Sequence, residues 1–241
     1  MDYYSIPIQN ILFLDIETVP QCANYDQVAD DMKPLWDKKA MQIRKNDEEP
    51  ADIYQQAGIY AEFGRIVCIS VGFIREENGI KTFFSKSFAD HDERKLLVDF
   101  KKLIDQNYSV SGRYICGHNV KEFDMPYIAR RMVINGLQLP IPLQIAGKKP
   151  WEVQFIDTLE MWKFGDYKAY TSLNLLTHVL GIPTPKDDID GSQVATVYYE
   201  ENDLKRISVY CEKDILATAQ VFLKMTGHDI IDQEHNVVHK D

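Results

Sequence analysis

The chain has 241 residues, of which 45% are hydrophobic, and it carries a formal net charge of −10. This composition predicts a single soluble domain, and no N-terminal segment resembles a signal peptide and no apolar run is long enough to span a membrane. The negative charge argues against broad, tight binding to duplex nucleic acid, because such binding depends on Lys and Arg contacts to phosphates.

The first predicted element is an apolar strand. Residues 11–14 read Ile-Leu-Phe-Leu and continue into Asp15-Ile16-Glu17, a pattern that predicts a strand buried on both faces. The polar segment that follows predicts a helical insertion at about 21–62, next to the end of this strand. The elements in this part are predicted as helices at 28–44 and 52–60 around a polar break at 45–50, then a hairpin of strands at 65–74 and 79–84 joined by a charged turn at 75–78.

The rest of the chain alternates strands and helices. The predicted elements are a helix at 92–107, a strand at 114–117, a helix near 124, a loop at 135–150, a strand at 152–156 and helices at 172–180 and 204–225. This order matches an α/β protein of the ribonuclease H-like fold, a five-stranded mixed sheet flanked by helices. We interpret 1–226 as one domain and expect 227–241 to be a flexible tail. Its histidines at 228, 235 and 239 are then terminal residues rather than zinc ligands.

Two acids lie in the first predicted strand. Asp15 and Glu17 are two residues apart, so their side chains share a face roughly 7 Å apart and can converge on one cation. The spacing alone is weak evidence, because 37 acids in 241 residues give roughly six such triplets by chance. The apolar strand before this triplet favours a site over the alternative, a strand end that turns into solvent before Pro20.

A third acid, Asp124, follows the strand predicted at 114–117. Taken alone, Asp124 is best interpreted as the N-cap of a helix whose first turn contains Pro126. Ligand contacts, however, concentrate at strand-to-helix turns of α/β sheets, which favours a role in a site. The same turn contains Gly117, His118, Asn119 and Phe123.

Two further candidates, Tyr210 and Asp214, lie in the long helix predicted at 204–225. They are four residues apart, so they share a helical face and lie roughly 6 Å from each other. A second Tyr-x-x-x-Asp occurs at Tyr199 and Asp203, but Asp203 stands where the helix begins and is explained as its cap. Asp214 is in mid-helix, where aspartate has poor propensity and no cap to form.

Asp157 follows the last predicted strand. It could be a fifth acid of the site, or it could cap the helix that begins at Thr158. The sequence favours the cap.

The four cysteines show no Cys-x-x-Cys pairing. Cys68, Cys116 and Cys211 lie in apolar patterns, whereas disulfide frameworks and zinc sites usually show paired cysteines. We therefore interpret the cysteines as reduced thiols, the last three in the core, and the protein as cytoplasmic.

A group of carboxylates and one phenol suits phosphodiester hydrolysis. Two divalent ions about 3.5 to 4 Å apart activate water, stabilise the leaving oxygen and neutralise phosphoryl charge. Carboxylate oxygens without paired His or Cys favour Mg²⁺ or Mn²⁺ over zinc. The repulsion among the acids is relieved when the cations bind.

The motif order Asp-x-Glu, Asn-x-x-x-Phe-Asp and Tyr-x-x-x-Asp resembles the DEDD superfamily of 3'-5' exonucleases in its tyrosine subtype, DEDDy. Five segments resemble stand-alone bacterial exonucleases related to the proofreading domain of family-B DNA polymerases. They are ILFLDIETVP, EFGRIVCISVG, ICGHNVKEFDMPYIARR, FIDTLEMWKF and TSLNLLTHVLGIP. The resemblance extends over roughly residues 9 to 225. Val209 stands where the histidine subtype has its histidine, which agrees with the tyrosine assignment.

This resemblance implies a role for each candidate. Asp15, Glu17 and Asp214 would hold one ion, and Asp15 with Asp124 a second. Tyr210 would orient the attacking water by hydrogen bonding, since a free tyrosine has a pKa of about 10.

The resemblance also implies a substrate, the 3' end of single-stranded DNA or RNA, from which nucleoside 5'-monophosphates are released. Thr18, Asn119 and Phe123 would grip the terminal nucleotides, and Phe123 could stack on any base. The alternative for Phe123 is a core aromatic residue.

Bound cations would neutralise part of the negative charge at the site, and pairs of basic residues offset part of it elsewhere. We expect one or two of these pairs to lie near the site and the rest to be solvated. The pairs are Lys38-Lys39, Arg44-Lys45, Lys101-Lys102, Arg130-Arg131, Lys148-Lys149 and Lys205-Arg206.

Two other functions remain open from the sequence. One is a non-catalytic nucleic-acid-binding module on the same fold, which the acidic charge favours. The other is a metal-dependent phosphohydrolase of small nucleotides. The choice between DNA and RNA is also open, because no residue is identified against a 2'-hydroxyl.

Overall fold

The fold of the chain comes from a computed structural model that describes residues 2–149, 152–166, 168, 170–183, 189–232 and 237–239. Among these residues, six strands form one mixed sheet. They are β1 (Ile11–Pro20), β2 (Gly64–Glu77), β3 (Ile80–Ala89), β4 (Tyr114–Gly117), β5 (Phe155–Asp157) and β6 (Val237–His239). Their order in the sheet is β5-β4-β1-β2-β3-β6. β1 is antiparallel to β2 and parallel to β4, so the central strand joins the two kinds of pairing.

Seven α-helices lie among the described residues. They are α1 (Lys33–Ile43), α2 (Glu93–Asn107), α3 (Asp124–Ile134), α4 (Thr158–Lys163), α5 (Leu173–Val179), α6 (Val194–Thr196) and α7 (Leu204–Met225). A π-helix, Val197–Glu201, continues α6, and short 3-10 helices include Tyr54–Ile59. Within the described ranges, no helix combines the length and apolar character needed to cross a membrane.

Helices cover both faces of the sheet, as the strand pattern predicts. Leu12 and Leu14 of β1 pack into a core shared with α2 and α3. Phe13, on the opposite face, packs against Phe222 of α7 with ring centroids 6.0 Å apart. The α/β architecture is that of a ribonuclease H-like fold, so this prediction is confirmed.

The sheet contains a sixth strand that the sequence did not predict. Val237–His239 pairs in parallel with β3 at the edge of the sheet. The His239 Nδ1 atom lies 2.5 Å from the Glu212 Oε2 atom and 2.7 Å from the Ser85 hydroxyl. Three residues in a polar tail give too short a pattern to predict a strand. Of the other tail histidines, His235 lies outside the described residues.

The hairpin turn lies later than predicted. β2 continues to Glu77, and the turn is Asn78-Gly79 rather than the charged residues before it. Both turn residues have positive φ, 53° and 78°, as a two-residue primed turn requires. Asn-Gly is the sequence most suited to that turn, so the correct signal was present in the chain.

The insertion after β1 packs around its own small core. Trp36 of α1 is fully buried, donates its indole N–H to the Pro50 carbonyl at 2.8 Å, and packs edge-on against Tyr54. The 3-10 helix at Tyr54–Ile59 contacts β1. A Cβ added to Gly58 would lie 3.2 Å from Pro20, so the insertion packs tightly on the end of the strand that carries Asp15 and Glu17.

A buried ion pair ties this region to α2 and α3. The Arg131 guanidinium donates Nε to Glu93 Oε1 at 2.9 Å and Nη2 to Glu93 Oε2 at 2.6 Å. Its Nη1 donates to the Ala61 carbonyl at 2.8 Å, and the Ile66 N–H donates to Glu93 at 2.7 Å. Both side chains are about 95% buried, with relative exposures of 5% and 6%. The interpretation of Arg131 as a solvated residue is therefore wrong.

Candidate metal centre

β1 places Asp15 and Glu17 on one face of the sheet, as predicted. Asp15 pairs with Ser70 and Glu17 with Cys68 across the antiparallel ladder. The register shifts between Glu17 and Thr18, and such a bulge changes the direction of the side chains beside it. The two acids lie within the strand rather than at its end, because β1 continues to Pro20.

Glu17 is a buried carboxylate in an unusual state. Its relative exposure is 8%, and no hydrogen-bond donor among the described residues contacts its oxygens. These oxygens are not among the fully buried polar atoms that lack a partner, so they face space that water or a cation can reach. Such an oxygen pair is suited to a cation.

α7 contributes Tyr210 and Asp214 from the other side of the site. The helix begins after Asp203, whose carboxylate accepts from the Arg206 N–H at 2.9 Å, so the cap interpretation of Asp203 is confirmed. The Tyr210 and Asp214 side chains are joined by a hydrogen bond. They therefore share a helical face, as their spacing predicts.

Asp124 is the first residue of α3 and is 3% exposed. The N-cap position is taken by Phe123, which forms no side-chain cap. The Asp124 carboxylate instead accepts from its own backbone N–H and from that of Ile16 in β1. The cap interpretation of Asp124 is wrong, and the carboxylate faces β1.

The charges of these groups shift one another's pKa values, which indicates that the side chains lie close together. Burial, followed by the charge of Asp124 and then of Asp214, raises the pKa of Asp15 well above its usual range. Burial and the charge of Asp15 do the same to the pKa of Glu17. Burial also raises the pKa of Asp124 to about 7. The pKa of Tyr210 is raised by burial and then by the charges of Asp214, Glu17 and Asp15. The structure therefore brings together all five residues predicted for the chemistry.

A comparison with protein families identifies the family of this chain. Residues 59–237, most of the chain, match the model of a family described as a predicted 3'-5' exonuclease related to the exonuclease domain of PolB. The chain belongs to this family. The matched segment contains Asp124, Tyr210 and Asp214, whereas β1 with Asp15 and Glu17 precedes it and joins it through the pairing with β2. No curated protein matches the chain.

Membership in this exonuclease family confirms the resemblance found in the sequence. It supports 3'-5' exonuclease activity and nucleic acid as the class of substrate. The tyrosine subtype and the role of each side chain stay predictions.

The three residues predicted to bind nucleotides lie in different surroundings. Thr18 bonds through its side chain to Tyr127. Asn119 is half-buried, with a left-handed φ of 65°. The Phe123 ring is half-buried and packs against the core, 5.5 Å from the Tyr127 ring. Both interpretations of Phe123, core residue and stacking residue, agree with this placement.

Asp157 organises the turn that carries Asn119. Its carboxylate caps α4 by accepting from the N–H groups of Leu159 at 3.0 Å and Glu160 at 3.4 Å. It also accepts from the N–H groups of Asn119 at 2.9 Å and Lys121 at 3.1 Å. The cap interpretation is confirmed, and the bonds to the turn are an addition that the sequence did not indicate.

We expect Asp157→Asn to weaken the anchoring of the turn more than the cap. An asparagine can keep the Oδ1 bonds to Leu159, Glu160 and Asn119, but it places an NH₂ group opposite the Lys121 N–H, which should cost about 1–3 kcal/mol in the free energy of unfolding. It should also lower nuclease activity about tenfold, because the turn before Asp124 loses one of its two anchors. Urea denaturation and cleavage of a single-stranded oligonucleotide measure the two effects.

Asp92→Asn is the matched control, since Asp92 caps α2 by accepting from the Lys95 N–H. α2 carries none of the predicted site residues. Equal activity in the Asp157→Asn variant and the control would contradict a role for Asp157 in positioning the turn.

Cys211, which the sequence pattern places in the core, lies beside the candidate metal centre. The Cys211 Sγ atom lies 3.3 Å from Asp15 Oδ2 and 3.5 Å from the Asp15 carbonyl oxygen. Ligand atoms of Asp15, Glu17 and Cys211 all lie within 4.8 Å of one another. Cys211 lies three residues before Asp214 on the same helix, and this spacing places the two residues on neighbouring positions of one face. The apolar pattern, however, favoured a core position for Cys211.

Proposed function

We propose that the protein is a two-metal 3'-5' exonuclease that hydrolyses single-stranded nucleic acid and releases nucleoside 5'-monophosphates. The observation that carries this proposal is the meeting of four carboxylates and one phenol from β1, α3 and α7. Such a concentration of buried and half-buried acids destabilises a domain, which favours a functional role for them. Family membership supports the same activity.

The acids fit hard divalent cations. Asp15, Glu17 and Asp214 would hold one ion, and Asp15 and Asp124 the other, each through carboxylate oxygens. Glu17 supports this assignment because no donor among the described residues contacts its oxygens, which a cation can reach although the residue is only 8% exposed. Bound Mg²⁺ or Mn²⁺ supplies water activation, stabilisation of the leaving oxygen and neutralisation of phosphoryl charge.

Tyr210 acts by hydrogen bonding rather than by removing a proton. Its raised pKa keeps the phenol protonated at neutral pH, and its O–H donates to Asp214. A protonated phenol beside the carboxylates can orient the attacking water through its O–H or its oxygen.

We expect Tyr210→Phe to lower kcat roughly 100-fold, because the variant loses the group that orients water while all carboxylates remain. KM should change little. The dependence of activity on pH between 6 and 9 should keep its shape, since the phenol does not titrate in that range. Initial rates on an oligonucleotide over this pH range measure the effect.

Tyr199→Phe is the matched control. Tyr199 belongs to the second Tyr-x-x-x-Asp, and its hydroxyl donates to the Pro20 carbonyl at 2.5 Å. Normal kcat in Tyr210→Phe, or an equal loss in both variants, would contradict the role given to Tyr210.

A single-stranded end suits the charge of this protein. Its formal net charge is −10, and several of its basic residues are already paired. Lys101 and Lys102 pair with Asp105 and Asp99 on α2, and Arg131 is buried against Glu93. Broad contact with duplex phosphates is therefore disfavoured, whereas a strand end at the bound cations needs few contacts.

Linear and circular single strands of the same sequence test the proposal. An exonuclease degrades the linear DNA or RNA to nucleoside 5'-monophosphates and leaves the circle intact. Cleavage of the circle would contradict exonuclease action. Binding without cleavage would favour the non-catalytic module, and hydrolysis of mononucleotide esters with intact oligonucleotides would favour the phosphohydrolase.

A further inference from the structure

A thiol lies inside the candidate metal centre. Cys211 is fully buried, and its Sγ atom donates to the Asp15 carboxylate at 3.3 Å. The sulfur and one oxygen each from Asp15 and Glu17 lie within 4.8 Å of one another. Bonds from these atoms to a metal are about 2.0–2.3 Å long, so small movements of the three side chains would let all three ligand atoms bind one ion.

The Glu17 carboxylate also points to a cation at this place. It is 92% buried, with a relative exposure of 8%, and no donor among the described residues satisfies it. Cys211 already contacts Asp15, whereas Glu17 has only the charges of its neighbours. A cation between the three groups would satisfy Glu17.

Sulfur changes which cations such a site prefers. Mg²⁺ and Mn²⁺ bind carboxylate oxygens and leave a thiol protonated, whereas Zn²⁺ and Cd²⁺ bind thiolate sulfur strongly. Two carboxylates and one thiolate, with water as a fourth ligand, would supply the four tetrahedral positions that zinc prefers, and each of these ligand types binds zinc. The exonuclease centre and this set share Asp15 and Glu17, so the two kinds of cation would compete.

We propose that Cys211, Asp15 and Glu17 form a binding site for thiophilic divalent cations such as Zn²⁺ and Cd²⁺, which excludes Mg²⁺ and Mn²⁺ from the same carboxylates. The Cys211 S–H bond breaks as the sulfur–metal bond forms, and the proton leaves to solvent. No group is oxidised or reduced. The binding site stands on the geometry alone, and only its inhibitory effect rests on the proposed function.

The surroundings of Cys211 hold the thiol in place. Cys68 forms a hydrogen bond with Cys211 and lies 3.6 Å from the Ser70 hydroxyl and 3.9 Å from the Ser208 hydroxyl. Cys68 is thus the second thiol near the acids, but its sulfur is outside the group of three ligand atoms. We therefore assign the metal–sulfur bond to Cys211.

Titration of the whole protein with Cd²⁺ tests the site through ultraviolet charge transfer from thiolate to metal. The wild type is expected to show this absorption with about one Cd²⁺ per chain, and excess Mn²⁺ should reduce it. Cys211→Ser and Cys211→Ala should lose it. Calorimetric titration should show a Zn²⁺ dissociation constant at least about tenfold higher in Cys211→Ser, with a much smaller change for Mn²⁺.

Cys116→Ser is the matched control, because Cys116 is equally buried but lies in the core beside Phe13 and α7. Its absorption with Cd²⁺ should equal that of the wild type. No charge transfer in the wild type, or equal absorption in Cys211→Ser, would overturn the proposal. If the Cys211 variants do not fold, the absence of charge transfer in the wild type would still overturn the proposal.

Nuclease assays separate this proposal from the proposed function. Zn²⁺ should inhibit cleavage in the presence of Mn²⁺, and inhibition should weaken in Cys211→Ser relative to that variant's own rate. Binding of Cd²⁺ or Zn²⁺ without any nuclease activity would support the cation site and contradict the proposed exonuclease function. Cleavage without Cd²⁺–thiolate absorption would do the reverse.

Discussion

Replacement of Asp15 by asparagine is expected to abolish nuclease activity and to stabilise the metal-free fold. Asp15 is shared by both proposed ions, so its loss should lower the rate by about 10³-fold or more, which corresponds to several kcal/mol of transition-state stabilisation. The same carboxylate is destabilising without metal, because burial and the charges of Asp124 and Asp214 oppose its ionisation. Asparagine keeps the shape of the side chain and removes the charge.

The stabilising effect should depend on pH in a defined direction. The folded-state pKa of Asp15 lies above its value in the unfolded chain, and that of Asp124 is about 7. Each group therefore contributes stability that is fully present below the unfolded pKa of about 4 and is lost as pH rises through the folded pKa. In EDTA, the melting temperature of Asp15→Asn should exceed that of the wild type by a few degrees at pH 8 and by less at pH 5.

Thermal denaturation in EDTA and cleavage of an oligonucleotide in Mn²⁺ measure the two effects. Asp31→Asn is the control, because Asp31 is exposed in the insertion. The control should be active and should melt like the wild type. Wild-type activity in Asp15→Asn would contradict the assignment of Asp15 to the metal centre. A melting temperature of Asp15→Asn below that of the wild type in EDTA would contradict the electrostatic account.

The second large effect concerns stability alone. Arg131→Ala is expected to reduce the free energy of unfolding by about 3–5 kcal/mol, because it leaves the Glu93 carboxylate buried without its cation. The guanidinium also holds the Ala61 carbonyl at 2.8 Å, so α3 loses a bond to the segment that precedes β2. For a chain of this size the melting temperature should fall by roughly 10 °C.

Arg130→Ala separates this pair from a general effect of charge. Arg130 is the adjacent arginine and is exposed, so its removal should change the unfolding free energy by no more than about 0.5 kcal/mol. Adding Glu93→Gln to Arg131→Ala should restore part of the loss, since the uncompensated charge is removed. Equal urea midpoints for Arg131→Ala and Arg130→Ala would contradict the account.

The central strand and the helix with Tyr210 and Asp214 could be predicted because their patterns are local. Apolar residues 11–14 define β1, and alternation along it places Asp15 and Glu17 on one face. The helical period places Tyr210 and Asp214 together. These rules need no knowledge of which elements pack against each other.

Other features depend on contacts between distant segments. Arg131 looked like an ordinary surface charge, and only the tertiary fold, which brings α3 to α2, buries it against Glu93. Cys211 fits an apolar stripe, and only the pairing of α7 with β1 brings its sulfur to Asp15. β6 is too short to give a pattern of its own. Such features follow from tertiary structure, which a pattern along the chain does not contain.

One assay tests the central claim most directly: incubation of 5'-labelled single-stranded DNA and RNA with the protein in Mn²⁺, in Mg²⁺ or in EDTA. The account predicts a ladder that shortens from the 3' end with either metal and is absent in EDTA and in Asp15→Asn. Oligonucleotides that stay intact with both metals would contradict it, and so would shortening that continues in EDTA.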